Sequence, residues 1–391
     1  MRQRNGVRAR RRAAAWPAWL FLLVLALASA CASSPSGTAP ASTASAEPST
    51  THSPAPRPDG QLPPRTKPER ACEFSGVSKV VAVGDLHGAY DAFVEILKGT
   101  KMVEVREGEI HWAGGTSHLV QLGDVMDRGK APRKIFDLIA LLEGEALVAG
   151  GRVHMLIGNH EEMNIMELSF EVPGNVTIEQ FKEFMPAKFV RDKEREFRRA
   201  AGSEGDTEPY WDELLKDPSA RQRYYDEFNR DYGRWIARHN AVVKVNDVVF
   251  VHGGLNESYS TYPCRSLNAI LSNELDQWIR GDRSFFLRLA HNEQGPLWYR
   301  SLAMPESEDL LKDEVGRTLK NLGARAMVIG HTPTQGSISL SLLHRFDRRV
   351  WMIDTGIWME SGGALSALVI QNGEFRVWPV DDISGWKPPE E

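Results

Sequence analysis

Residues Leu119–Gly129 read Leu-Val-Gln-Leu-Gly-Asp-Val-Met-Asp-Arg-Gly, an apolar run that stops at a glycine and is followed within five residues by Asp124, Asp127 and Arg128. Two carboxylates and a guanidinium beside a core are costly unless they have partners. A single GDxxDRG of this kind reads equally well as a solvated turn, so its neighbours decide. Lys79–Val83 leads into Gly84-Asp85-Leu86-His87-Gly88, and Val153–Ile157 into Gly158-Asn159-His160-Glu161. Val248–Val251 leads into His252-Gly253-Gly254, and Ala326–Ile329 into Gly330-His331-Thr332. Asp85, His87, Asp124, Asn159, His252 and His331 thus form a set of oxygen and nitrogen donors with no cysteine among them. Such a set suits Mn²⁺, Fe or Zn²⁺ and not copper or an iron–sulfur cluster.

Each of these side chains needs a strand to aim it and a glycine to turn the chain, and ligands of α/β sheets gather at the carboxyl ends of strands. The surrounding pattern supplies such strands. Lys79–Val83 is followed by an amphipathic stretch, Ala89–Lys98, with Phe93, Ile96 and Leu97 on one face. A short strand Glu109–Trp112 precedes Ser117–Leu122. A helix over Ala131–Glu143 and the strand Val153–Ile157 then complete a βαβ-like half. Between Met163 and Asn240 strand signals give way to helical runs around Ile178–Ala200 and Ala220–His239, expected to form a cap beside the ligands. Lys188, Arg191, Lys193, Arg195, Arg198 and Arg199 are interleaved with Glu194 and Glu196, which reads as a solvated helix face. Strands resume at Ala241–Val245 and Val248–Val251, and a helix is expected around Ser266–Arg280. Beyond Gly330 the chain reads as β, with an Asn372-Gly373 hairpin.

The ordered series GDxHG, GDxxDRG, GNHE, HGG, GH resembles the calcineurin-like metallophosphoesterases, and the DRG and GNHE forms resemble their phosphoprotein phosphatase branch. Gly158-Asn159-His160-Glu161-Glu162-Met163-Asn164 and Leu297-Trp298-Tyr299-Arg300 are similar to the bacterial Shewanella-like phosphatases. The resemblance implies an α/β (α+β) fold, a central β-sandwich flanked by helices, here with a helical insertion over 163–240. It further implies two divalent metal ions, with Mn²⁺ expected and Fe or Zn²⁺ as alternatives. Asp85 and His87 would hold one and Asn159, His252 and His331 the other, with Asp124 bridging them. A metal-bridging hydroxide would attack phosphorus directly. His160 would protonate the leaving oxygen, with Asp127 holding its imidazole, and Arg128 and Arg300 would grip the phosphate. Where many relatives have a second histidine, Gly330-His331-Thr332-Pro333 carries proline, and the phosphoprotein phosphatase branch also lacks that histidine.

The expected substrate is a phosphorylated protein or a small phosphoester. A nucleotide or dinucleoside polyphosphate hydrolase is the alternative, and an inactive exported binding module is a lesser one. The first dozen residues carry six arginines and no acid, and an apolar stretch from Trp16 to Ala28 ends at Ala28-Ser29-Ala30-Cys31. This reads as a lipoprotein-type signal over 1–30 with lipid on Cys31, an exported, membrane-anchored protein facing the periplasm or cell exterior. Ordinary cleavage to a soluble periplasmic or secreted form is the alternative. Loss of six arginines and no acid takes the formal net charge from −5 to −11, which argues against a nucleic-acid partner. Residues 31–70, rich in Ser, Thr, Ala and Pro, read as a disordered tether to a domain spanning 71–391. Export would permit a disulfide between Cys72 and Cys264, and the sequence leaves that pairing open.

Overall fold

A computed structural model of the chain describes residues 71–202, 205–283, 289–334, 343–359 and 363–381. The expected signal, the tether and Cys31 lie outside the described residues. The strands are β1 (Glu73–Phe74), β2 (Lys79–Val83), β3 (Val103–Arg106), β4 (Glu109–Trp112), β5 (His118–Gln121), β6 (Arg152–Met155), β7 (Val242–Val245), β8 (Val248–Val251), β9 (Ala326–Ile329), β10 (His344–Arg345), β11 (Val350–Met352), β12 (Ala367–Gln371) and β13 (Glu374–Trp378). The helices are α1 (Tyr90–Gly99), α2 (Pro132–Val148), α3 (Asn159–Ile165), α4 (Ile178–Phe184), α5 (Ala187–Ala201), α6 (Glu208–Leu214), α7 (Pro218–Phe228), α8 (Arg234–Ile236), α9 (Glu257–Ser260), α10 (Cys264–Ile279) and α11 (Glu308–Leu322).

Two sheets carry the domain. One has the order β13-β12-β2-β5-β6 and the other β1-β7-β8-β9-β11-β10, while β3 and β4 form a separate hairpin. Strands β2, β5 and β6 run parallel, as do β8, β9 and β11. Val80, Ala82, Val120, Val243, Phe250, Val328 and Leu368 pack together between the sheets. The alternate residues Val81, Val83, Leu119, Val249 and Val251 turn outward onto the helices. Strands covered on both faces are apolar at every position, which is why the sequence shows unbroken runs here and not alternation. Each buried Val, Leu or Phe of these layers contributes roughly 1.5–3 kcal/mol. The result is the expected helix-flanked β-sandwich.

Helix boundaries depart from the sequence reading for local reasons. The run over 178–200 divides into α4 and α5 at Met185-Pro186, because proline cannot continue a helix. The run over 220–239 divides at a π-helical turn, Asn229–Gly233. Helix α11 escaped the sequence reading because it buries only Val315, Thr318 and Leu319, too weak a periodic signal. Cys72 and Cys264 are joined by a disulfide across 192 residues, which ties the strand leading into β1 to the start of α10.

Candidate active site

The parallel strands of both sheets deliver their carboxyl ends to one edge of the sandwich. Asp85 and His87 follow β2, Asp124, Asp127 and Arg128 follow β5, and Asn159 and His160 open α3 after β6. His252 follows β8 and His331 follows β9. The loops touch backbone to backbone: a Cβ on Gly158 would stand 2.4 Å from Asp124 N, and one on Gly129 would stand 1.8 Å from His87 O. No other residue fits at either turn. His87, Asp124, Asp127, Arg128 and His331 all have positive φ, between 42° and 69°. Left-handed backbone at non-glycine residues costs of order 1–3 kcal/mol each and persists where surrounding contacts enforce it. Here Glu161 does much of that, since its two oxygens accept the N–H groups of Asp124, Val125, Met126 and Gly158 at 2.8–3.1 Å.

His87 Nδ1 donates to Met126 O at 2.7 Å, and His252 Nδ1 donates to Leu122 O at 2.8 Å. Each neutral ring therefore turns an Nε2 lone pair into the site. His252 Nε2 lies 3.0 Å from Asn159 Oδ1 and 3.2 Å from Asp124 Oδ1, so three groups able to ligate a cation converge. His331 Nε2 is buried with no hydrogen-bond partner. Burial, then neighbouring His252, pulls His331 down to about 2, and burial, then His160, pulls His87 down to about 3. Both rings are held neutral, so each could lend a nitrogen lone pair to a cation. Burial pushes Asp124 upward, but His252, His160 and His87 outweigh it and hold it well below the usual carboxylate range. Converging lone pairs, an orphaned imidazole nitrogen and buried carboxylates fit divalent cations.

Nitrogen and oxygen atoms lie within 4.8 Å of one another in two groups, His87–Asp124–His160 and Asp124–His252–His331. Asp124 is shared by both, the position expected of a bridge. Asp85 belongs to neither group: its carboxylate accepts the N–H of His331 at 3.0 and 3.1 Å and stands against Asp354. Burial, then the neighbouring carboxylates Asp354 and Asp124, raises Asp85 well above its ordinary value. Asp354 follows β11 and was missed by the sequence reading, although Ile353-Asp354-Thr355-Gly356 repeats the signal of a strand ending in a carboxylate and a glycine.

His160 Nδ1 donates to Asp127 Oδ2 at 2.7 Å, which leaves Nε2 facing the metal-ligand groups. Burial alone would lower His160, but Asp124 and Asp127 outweigh it and raise it. The Arg128 guanidinium stands with Nη1 3.0 Å from His87 Nε2 and Nη2 3.0 Å from His160 Nε2. Trp358, which no sequence signal marks, lies against the Arg128 guanidinium at 4.9 Å and edge-on to His87. Arg300 donates from Nη1 to His331 O at 2.8 Å and to Thr332 Oγ1 at 3.0 Å, so one end of its fork is fixed to the loop that carries His331. All ten sequence-expected residues of the metal and phosphate site thus lie in this one region.

The helical stretch reaches the site through α3, α4 and the loop between them. Arg128 N donates to Asn175 O, Thr177 Oγ1 to Gly129 O, and Gln180 and Asn164 both contact Asp127. Phe181, Phe184 and Phe197 are buried beneath, and Phe189 is half-buried. The charged face of α5 carries its own ion pairs, Lys188–Asp192 and Arg195–Asp192, as a solvated helix face does. A cleft of about 890 Å³ runs beside this segment, lined by Phe170, Val176, Thr177, Trp211 and Arg221 among others.

The calcineurin-like phosphoesterase profile matches residues 78–335. The chain is 27% identical over 279 residues to Shewanella-like protein phosphatase 2 of Arabidopsis thaliana, covering 68% of this chain and 69% of that protein. It is 26% identical over 285 residues to Shewanella-like protein phosphatase 1 of Plasmodium berghei (strain Anka), covering 71% and 67%. Among solved structures, the cold-active protein-tyrosine phosphatase of a psychrophilic Shewanella species aligns with a TM-score of 0.56 at 24% identity, over 82% of this chain and 86% of that one.

Proposed function

The chain belongs to the calcineurin-like phosphoesterase family and is a metal-dependent phosphoester hydrolase; we propose that it hydrolyses phosphate monoesters on phosphoproteins. The observation that carries the reading is the Arg128 guanidinium seated across His87 and His160 at the edge of the buried histidine and aspartate groups. That arrangement puts a planar anion receptor between metal ligands and a proton donor. The names of the two protein phosphatase relatives support a protein substrate.

Two divalent cations, Mn²⁺ first and Fe or Zn²⁺ as alternatives, would be held by Asp85, His87 and Asp124 on one side and Asp124, Asn159, His252 and His331 on the other, supplying charge neutralisation and a water made nucleophilic near neutral pH. The chain's own residues do the rest. Arg128 and Arg300 bind non-bridging phosphate oxygens, and their planar forks match that geometry better than ammonium groups would. Trp358 holds Arg128 in place, and the His331 carbonyl holds Arg300. His160 gives its Nε2 proton to the leaving oxygen, while Asp127 keeps the ring oriented and stabilises its charged form.

Export and lipidation at Cys31 belong to the same reading. The Cys72–Cys264 disulfide supports an oxidising compartment.

A metal-supplemented assay of the purified protein against phosphopeptides, p-nitrophenyl phosphate and dinucleoside polyphosphates tests the assignment. Turnover of phosphopeptides and of p-nitrophenyl phosphate is expected. Hydrolysis of the dinucleotides with none of the phosphopeptides would replace it with the nucleotide reading.

A further inference from the structure

Asp127 is held by more than its histidine. Its Oδ2 accepts from His160 Nδ1 at 2.7 Å and from Ser169 Oγ at 3.0 Å, and its Oδ1 accepts from Asn164 Nδ2 at 2.9 Å and from Gln180 Nε2 at 2.8 Å. A carboxylate offers about four lone-pair positions, so this one is saturated. Gln180 grips it twice, because its Oε1 also accepts the Asp127 backbone N–H at 2.7 Å, at a residue whose φ is 69°. Asp127, Asn164, Ser169 and Gln180 are fully buried, and so is Tyr224.

Tyr224 closes the network. Gln180 Nε2 donates to its hydroxyl at 2.8 Å, and the hydroxyl donates to Asn164 Oδ1 at 2.9 Å. The order of donors is forced: with the hydroxyl accepting from Gln180, its proton goes to Asn164, and both amide NH₂ groups then face Asp127. An amide turned the other way would set its oxygen against a buried carboxylate, a repulsion that a low-dielectric site does not screen. Asn164 sits on α3, Gln180 on α4 and Tyr224 on α7. The fold-covering role of these helices does not require four polar groups to converge on one carboxylate, and apolar residues would pack there at lower cost.

We propose that Gln180 and Tyr224, contributed by the helical insertion, are positioning residues for proton donation, holding Asp127 so that His160 Nε2 is aimed at the leaving oxygen. The insertion is then part of the catalytic support. This rests on the reading of His160 as the general acid.

The test uses the full-length, Mn²⁺-loaded protein with Gln180→Met, which keeps length and loses the amide, and Tyr224→Phe, which keeps the ring stacked on Phe181 and loses only the hydroxyl. Metal content and Tm are measured beside kcat and KM for an alkyl phosphate and for p-nitrophenyl phosphate. Positioned acids contribute typically 10²–10⁴-fold, so a partial loss of aim by Gln180→Met should cost about 10-fold or more in kcat on the alkyl ester. The loss on p-nitrophenyl phosphate should be within about 3-fold, with KM and metal content unchanged and Tyr224→Phe smaller in the same direction. In a His160→Asn background the Gln180 change should add nothing, because it acts through that ring. Equal losses on both substrates, or the same loss persisting without His160, would overturn the proposal. If Gln180→Met does not fold, the same criteria apply to Tyr224→Phe. Should His160→Asn itself show no leaving-group dependence, the acid assignment falls and the positioning role falls with it. Dependence in His160→Asn with none in the Gln180 and Tyr224 variants removes the positioning role alone.

Discussion

His160 Nδ1 stands 2.7 Å from Asp127 Oδ2, with both residues buried and the opposite ring nitrogen turned toward Asp124. This fixes the tautomer, because only a protonated Nδ1 can serve the carboxylate. On the proposed reading it is Nε2 of the charged ring that gives its proton to the leaving group. His160→Asn should therefore lower kcat on alkyl phosphates by about 10²-fold or more while changing p-nitrophenyl phosphate turnover far less, since a good leaving group needs little protonation. Equal losses on the two esters would remove His160 from this role.

Asp124 is the one residue common to both ligand groups, and it also accepts the His160 backbone N–H at 3.0 Å. On the proposed reading, Asp124→Asn removes a charge common to both metal-binding groups. Metal affinity and turnover should fall together, on the 10–100-fold scale or more that follows loss of metal-site partners. Elemental analysis after dialysis, read beside kcat, checks this. A variant that keeps both metals and near-normal turnover would contradict the shared-ligand role.

The ligand set was legible in the sequence because each member ends an apolar run, and burial on both sheet faces makes such runs continuous. Asp354 gives the same signal and could have been found. Gln180 and Tyr224 could not, because they lie on helices separated from Asp127 by 53 and 97 residues and only the packing of α4 and α7 brings them there. Glu161 was visible inside the GNHE run, yet its capture of four backbone N–H groups depends on the loop geometry after β5. Helix α11 left little trace because its inward face is so narrow.

The Cys72–Cys264 bond closes a separation of 192 residues, and long closures restrict the unfolded chain most in the loop-entropy account. Reduction, or Cys264→Ser, should cost about 2–5 kcal/mol of stability. Turnover of the folded enzyme should stay close to normal, because the bond lies at β1 and α10 and not at the ligand loops. Denaturant melts with and without reductant measure it. An unchanged midpoint would mean that the bond carries no stability.

His118 on β5 and His154 on β6 face each other at 3.0 Å, with the Phe74 ring edge-on to His118 and tilted against His154. Burial, and after it Arg152, lowers His118 from 6.5 to about 4; burial, and after it His118, lowers His154 well below 6.5. Only one proton can lie between the two facing nitrogens, so the pair is stable when neutral. The unfolded chain binds protons near pH 6.5 and the folded chain does not, so this contribution is fully present above that value and is lost as the pH falls toward about 4. The loss should amount to about 1–3 kcal/mol across that window. Asp85 and Glu162, raised by burial, titrate in the folded protein with the opposite sign, so the comparison must be differential. Urea midpoints of the parent and of His154→Gln, followed from neutral to mildly acidic pH, isolate the pair. The parent should lose stability more steeply than the variant as acid is added, and parallel slopes would show that the histidine pair does not couple folding to pH.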